Sequence, residues 1–101
     1  MKLNIYLDDI REIPNHLEGL WIPIRTAEDV IYLLKKGVVK DMSLDHDLGK
    51  DYFGHERLNG YELLCYMERD NLWPKGKIYV HSANPVGREK MLAVLKKREG
   101  V

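Results

Sequence analysis

Three short apolar segments, each followed at once by polar side chains, constrain the fold of this chain more than any other feature. The segments are residues 3–7, 39–44 and 77–80, and they end at Asp8-Asp9, Asp45-His46-Asp47 and His81-Ser82. Short apolar runs with such boundaries are typical of buried strands. The pattern therefore predicts three strands whose C-terminal ends carry carboxylates and imidazoles.

Helical segments alternate with the strands. Each predicted helix begins at a polar residue that can accept hydrogen bonds from the first turn. Thr26 is the predicted cap of a first helix that stops at Gly37. Asn59 is the predicted cap of a second helix over residues 61–72. Asn84 is the predicted cap of a third helix that runs from Pro85 toward residue 98. The second of these helices is rich in apolar residues and is predicted to be largely buried.

A further strand is predicted over residues 21–25. Its Pro23 cannot donate to a sheet ladder, so this strand belongs at an edge. Strands that alternate with helices predict a parallel sheet with right-handed crossovers. The predicted fold is α/β, a flavodoxin-like, three-layer single domain over residues 1–101 with strand order 2-1-3-4. Strands 1 and 3 are then neighbours at the switch point, where ligands bind beyond the strand ends.

Composition excludes several function classes. Sixteen basic and sixteen acidic side chains give a formal net charge of zero. This balance argues against nucleic-acid binding through a broad positively charged surface, but it leaves a local basic site open. Cys65 is the only cysteine, so neither an internal disulfide nor a cysteine-rich zinc site is expected. No apolar run has membrane-spanning length and no signal peptide is evident, so we expect a cytoplasmic protein without a membrane partner.

Four carboxylates are predicted to converge at the strand ends: Asp8, Asp9, Asp45 and Asp47. Carboxylates packed together repel one another, and a bound divalent cation relieves that repulsion. Oxygen ligands without cysteine favour Mg²⁺ or Mn²⁺, while two nearby histidines keep zinc open. The alternative is that these aspartates only cap adjacent turns.

Two histidines and one helix start complete the predicted site. An imidazole is the side chain best suited to exchange a proton near neutral pH, so His46 or His81 could transfer a proton. Ser82, Asn84 and Arg88 surround the start of the last helix, where free N–H groups and a guanidinium favour a phosphate. An ordinary capped helix with a solvated arginine is the alternative.

A polar segment of about a dozen residues precedes the second helix and is long enough to be a functional flap. Tyr52 and Phe53 lie on it and could cover a nucleobase. Trp21 and Trp73, by contrast, are expected to be packing residues.

These motifs resemble those of receiver domains. Asp8-Asp9 match the acidic metal pair of receivers, Asp45 the phosphoacceptor, and Ser82 the hydroxyl that contacts phosphate. The fuller strings are Leu7-Asp8-Asp9-Ile10-Arg11, Ser43-Leu44-Asp45-His46-Asp47-Leu48-Gly49 and His81-Ser82-Ala83-Asn84-Pro85-Val86-Gly87-Arg88. Over nearly the whole chain they resemble the cyclic-phosphate-processing receiver family, which is linked to RNA-end repair and similar nucleotide metabolism.

The resemblance implies a receiver-like domain without the fifth strand and fifth helix of ordinary receivers, which disfavours signalling by aspartyl phosphorylation. It implies metal-assisted hydrolysis of a cyclic phosphate on a nucleotide or RNA end, with Asp45, His46 and His81 as the catalytic candidates. The alternative is a non-catalytic module that binds a cyclic nucleotide or a protein partner through the same pocket. The edge of strand 4 is also expected to support a homodimer.

Overall fold

The computed structural model describes residues 2–99, which form four strands and three helices. In chain order the elements are β1 (Leu3–Leu7), β2 (Trp21–Ile24), α1 (Ala27–Lys35), β3 (Val39–Leu44), α2 (Gly60–Asp70), β4 (Ile78–Val80) and α3 (Pro85–Arg98). No helix among residues 2–99 has the length and apolar character needed to cross a membrane.

The sheet has the order β2-β1-β3-β4, and every neighbouring pair is parallel. The predicted α/β fold and the strand order 2-1-3-4 are confirmed. Pro23 lies in β2 at one edge, where the ladder needs no donor from it. β4 is the opposite edge of the sheet, which is the position that the expected homodimer contact requires. Formation of the homodimer stays a prediction.

The predicted helix caps are confirmed. Thr26 accepts a hydrogen bond from Asp29 N–H, and Asn84 accepts one from Gly87 N–H. Asn59 forms a reciprocal capping box with Glu62, in which each side chain accepts a hydrogen bond from the other residue's backbone N–H. These caps fix where each helix leaves the strand ends, and so they fix the rim of the site.

The core lies between the central strands and the helices. Its fully buried members include Ile5, Leu7, Met42, Leu44, Leu63, Leu64, Met67 and Met91. The expectation that α2 is largely buried was wrong, because only one side of it faces the sheet: Leu63, Leu64 and Met67 are buried while Glu62, Glu68 and Arg69 are exposed. A helix that packs on one face of a sheet needs apolar residues only along the side that contacts the sheet.

Gly60 lets α2 begin directly beneath the end of β3. Its N–H donates to the carbonyl of His46 at 2.8 Å. A Cβ at this position would collide with the backbone carbonyl of Asp45 and with the side chain of Met91. The side chain could move aside, but the carbonyl belongs to the turn that presents Asp45.

We therefore predict that Gly60→Ala lowers the free energy of unfolding by roughly 1–3 kcal/mol, the usual cost of overpacking. Alanine is the better helix former by about 1 kcal/mol, so a loss of stability would show that the steric contact outweighs helix propensity. Urea unfolding measures it, with Lys96→Ala on the exposed side of α3 as a control. A stabilised Gly60→Ala protein would contradict this packing.

Candidate functional site

The ends of β1, β3 and β4 bring three predicted site residues together. Asp8, Asp45 and His81 each offer one ligand atom, and these atoms lie within 4.8 Å of one another. The parallel order places the three strand ends at the same edge of the sheet, which is why residues so far apart in sequence meet.

Asp8 is completely buried and fully hydrogen-bonded. Its Oδ1 accepts the N–H groups of Ile10 and Arg11 at 3.0 and 2.8 Å, and its Oδ2 lies 3.1 Å from Nε2 of His81. Burial acts to raise the pKa of Asp8, but the two N–H donors and His81 outweigh it, so the pKa lies below its ordinary value. Asp8 is therefore held as a carboxylate.

The pKa of Asp45 shifts in the opposite direction to that of Asp8. It is 8% exposed, and its Oδ1 accepts the N–H of His46 at 2.8 Å. Burial raises the pKa of Asp45 above its ordinary value, and the neighbouring charge of Asp8 adds to the rise. Within residues 2–99 its Oδ2 accepts no hydrogen bond, which leaves one carboxylate oxygen free.

The imidazole of His81 is held on three sides. Its Nδ1 lies 2.7 Å from the hydroxyl of Ser43, its Nε2 contacts Asp8, and its ring stacks on Tyr6 with centroids 4.1 Å apart. Burial lowers the pKa of His81 below its ordinary value despite the adjacent carboxylates, so the neutral ring is favoured at neutral pH.

Sequence reasoning missed Ser43 and Tyr6. Alternate residues of a strand share a face, so Tyr6 lies on the face of Asp8, and Ser43 on the face of Asp45. That two-residue period was the available signal. Their contact with His81, however, depends on the sheet order and could not be read from either strand alone.

Asp9 and Asp47 lie apart from the buried cluster but line the adjoining cleft, hereafter the first cleft, which has a volume of about 290 Å³. Its lining consists of Asp9, Ile10, Arg11, Asp45, Asp47, Gly49, Ala83 and Asn84. Asp47 is exposed and accepts a hydrogen bond from the side-chain amide of Asn84 at 3.3 Å. All four predicted carboxylates thus lie in or beside one pocket.

Arg11 is the cation of the first cleft, and sequence reasoning did not single it out. Its Nη1 donates to the carbonyl of His81 at 3.1 Å, and its Nε lies 3.9 Å from Oδ2 of Asp8. Its side chain remains 48% exposed. Arg25 supports this loop, because its Nη1 donates to the carbonyls of Asp8 and Arg11 at 2.9 and 3.1 Å.

The predicted phosphate ligands are only partly brought together. Asn84 lines the first cleft, whereas Ser82 and Arg88 do not. The Ser82 hydroxyl accepts the N–H of Asn84 at 3.0 Å, and the Arg88 guanidinium donates to the carbonyl of Val80 at 2.7 Å. Arg88 is thus directed at the edge strand, and its role in phosphate binding stays a prediction.

His46 is largely covered, with its side chain 14% exposed. Its Nδ1 lies 2.9 Å from Oδ1 of Asp47, and its ring packs on Gly87, where any Cβ would collide with it. Within residues 2–99 the Nε2 of His46 has no hydrogen-bond partner. The contact with Asp47 selects which ring nitrogen remains free.

A family model described as the cyclic-phosphate processing receiver domain matches residues 3–97. This match confirms the resemblance seen in the sequence strings. No match was found among the curated proteins, and none among the solved structures.

The opposite pKa shifts predict opposite effects of two isosteric substitutions in metal-free protein. The stability that Asp45 contributes is present at acidic pH and is lost as the pH rises through its raised pKa. The contribution of Asp8 is present above its ordinary pKa and is lost as the pH falls through the lowered one. At pH 7 in chelator, we expect Asp45→Asn to raise the thermal midpoint and Asp8→Asn to lower it.

Differential scanning fluorimetry measures both midpoints, with Glu89→Gln on the exposed side of α3 as the control. The same direction of change in both variants would contradict the assignment of unequal environments.

Proposed function

The chain belongs to the cyclic-phosphate processing receiver family, and we propose that it hydrolyses a cyclic phosphate on a nucleotide or RNA end with the help of a divalent cation. The observation that carries this proposal is the buried Asp8–Asp45–His81 cluster beside the acidic first cleft. We propose Asp9 and Asp47, on the wall of that cleft, as supporting residues.

The residues fit a divalent cation. Two carboxylates and one imidazole supply donors that Mn²⁺ and Mg²⁺ accept, and the free Oδ2 of Asp45 offers an uncommitted oxygen. Charge supports the same conclusion, because the first cleft has three carboxylates in its lining and one arginine. A phosphate would be repelled from such a surface unless a cation offset the excess negative charge.

A bound divalent cation would stabilise negative charge on the phosphoryl oxygens and ease deprotonation of the attacking water. Asp8 and Asp45 would hold it, and His81 would contribute through Nε2. Ser43 and Tyr6 then act as positioning residues, since they fix the plane and orientation of the His81 ring.

We propose Arg11 as the side chain that binds the phosphate. A guanidinium carries five N–H donors, and only one bond, from Nη1 to the carbonyl of His81, is made among residues 2–99. The remaining donors are available to an anion in the first cleft. The side-chain amide of Asn84 also lines the first cleft, and beside its bond to Asp47 it has a second N–H that would donate to the same group.

The reaction consumes one water. Its oxygen attacks the phosphorus, the bond from phosphorus to one ribose oxygen breaks, and the product is a phosphomonoester. The water loses a proton to Asp9, a carboxylate that lines the first cleft and is not one of the proposed cation ligands. The departing oxygen gains a proton from Nε2 of His46 in its imidazolium form, whose Nδ1–H donates to Asp47, and His46 is left as the neutral imidazole.

A second candidate function is binding without turnover. The observation that favours it is the saturation of Asp8, whose oxygens are all engaged by backbone N–H groups or His81. Such a network could be purely structural. The chain would then bind a cyclic nucleotide or a protein partner through the same pocket and leave the phosphate intact.

The two functions are separated by incubating the purified protein with uridine 2′,3′-cyclic monophosphate and Mn²⁺ or Mg²⁺. We expect conversion to the phosphomonoester, and chelator should stop it. His81→Ala should lose both turnover and the metal-dependent rise in thermal midpoint. His46→Ala should lose turnover, by about 10²–10⁴-fold for a missing general acid, while it keeps the metal-dependent rise.

His16→Ala, in an exposed loop, is the matched control and should change neither property. Wild-type protein that binds the nucleotide but leaves it unchanged would favour the second function. Equal loss of the metal response in both site variants would reject the separate roles of the two histidines.

A further inference from the structure

A flap, residues 49–57, extends from the first cleft and presents two exposed aromatic rings. Tyr52 is 94% exposed and Phe53 is 78% exposed. The rings pack edge to face with centroids 5.4 Å apart. Side chains this exposed contribute little to folding, because apolar groups stabilise a fold by leaving water.

The backbone that carries these rings is ordered by its own hydrogen bonds. Asp51 Oδ1 accepts the N–H groups of Phe53 and His55 at 2.9 and 3.0 Å, and Asp51 N–H donates to the carbonyl of His55 at 2.8 Å. At the base, Arg57 N–H donates to the carbonyl of Gly49 at 3.0 Å. The rings are therefore presented by a preorganised turn, which lowers the entropic cost of binding.

A second cleft, of about 180 Å³, adjoins the first cleft and is lined in part by residues at the base of the flap. It shares Asp47 and Gly49 with the first cleft, and Lys50, Arg57 and Glu56 also line it. Within residues 2–99 neither Lys50 nor Arg57 forms an ion pair with a carboxylate. Two unpaired cations beside an aromatic turn complement a phosphate backbone and its bases.

We propose that the flap and the second cleft bind single-stranded RNA next to its cyclic-phosphate end. A base stacks on Tyr52 and Phe53, and a backbone phosphate meets Lys50 and Arg57. The inference rests on the proposed function and makes the substrate an RNA strand rather than a free mononucleotide. RNA is the relevant strand because a 2′,3′-cyclic phosphate requires the ribose 2′-hydroxyl.

The length of the flap gives the length of strand it can reach. Gly49 adjoins Asp9, since a Cβ on Gly49 would lie 3.0 Å from Oδ2 of that aspartate. Four residues farther along, Phe53 lies at most about 14 Å away. At roughly 3.4 Å per stacked nucleotide, this upper limit corresponds to at most about four nucleotides.

The test compares the affinity of two probes in chelator-free buffer with Mg²⁺: a tetrauridylate and a mononucleotide, each ending in a 2′,3′-cyclic phosphate. Catalytically inactive His46→Ala protein serves as the background so that the probes persist. We expect Tyr52→Ala and Phe53→Ala each to weaken tetranucleotide binding by about 5- to 150-fold, the range for loss of one base stack. Mononucleotide affinity should not change.

Tyr52→Phe retains a stacking ring and should restore tetranucleotide affinity, while Tyr32→Ala, on an exposed tyrosine of α1, should have no effect. Unchanged tetranucleotide affinity in both flap variants would overturn the RNA platform, and so would equal losses for the two probes. Failure of the background protein to bind either probe would overturn the proposed function, and the platform with it.

Discussion

Two carboxylates buried at the ends of neighbouring parallel strands are the constraint on which the rest of this structure depends. Asp8 follows β1 and Asp45 follows β3, the central pair of the sheet. Buried anions must be hydrogen-bonded, paired, protonated or bound to a cation. The loop after β1 supplies two N–H groups to Asp8, and β4 supplies His81. The turn after β3 supplies only one N–H group to Asp45.

Because Asp8 accepts more hydrogen bonds than Asp45, the pKa values of the two carboxyl groups shift in opposite directions. Hydrogen bonds hold the pKa of Asp8 below its ordinary value, whereas burial and the charge of Asp8 raise the pKa of Asp45. Two carboxylates with opposed pKa shifts are a frequent arrangement in active sites. The proposed function follows from this difference, because we propose Asp8 as a fixed anion and Asp45 as the carboxylate with an oxygen left to accept a cation.

The fold was largely predictable from the sequence. A short apolar run indicates each strand, and a capping residue such as Asn59 or Asn84 indicates the start of each helix. The convergence of Asp8, Asp45 and His81 followed from strand order alone. The directions of long side chains did not, since Arg88 donates to Val80 at the sheet edge while Arg11 enters the first cleft. Which arginine meets the cleft depends on loop geometry that residue spacing does not encode. For the same reason the burial of His46 against Gly87 could not be foreseen.

We propose that the Asp8–Asp45–His81 cluster holds a divalent cation. Electron paramagnetic resonance tests it directly, because Mn²⁺ in water gives a six-line signal that is broadened when the ion binds protein. We expect wild-type protein to remove the free-ion signal in proportion to added chain, and Asp45→Asn to leave that signal in place while the protein remains folded. Wild-type protein that leaves the free-ion signal unchanged at high micromolar concentration would rule out this cation site.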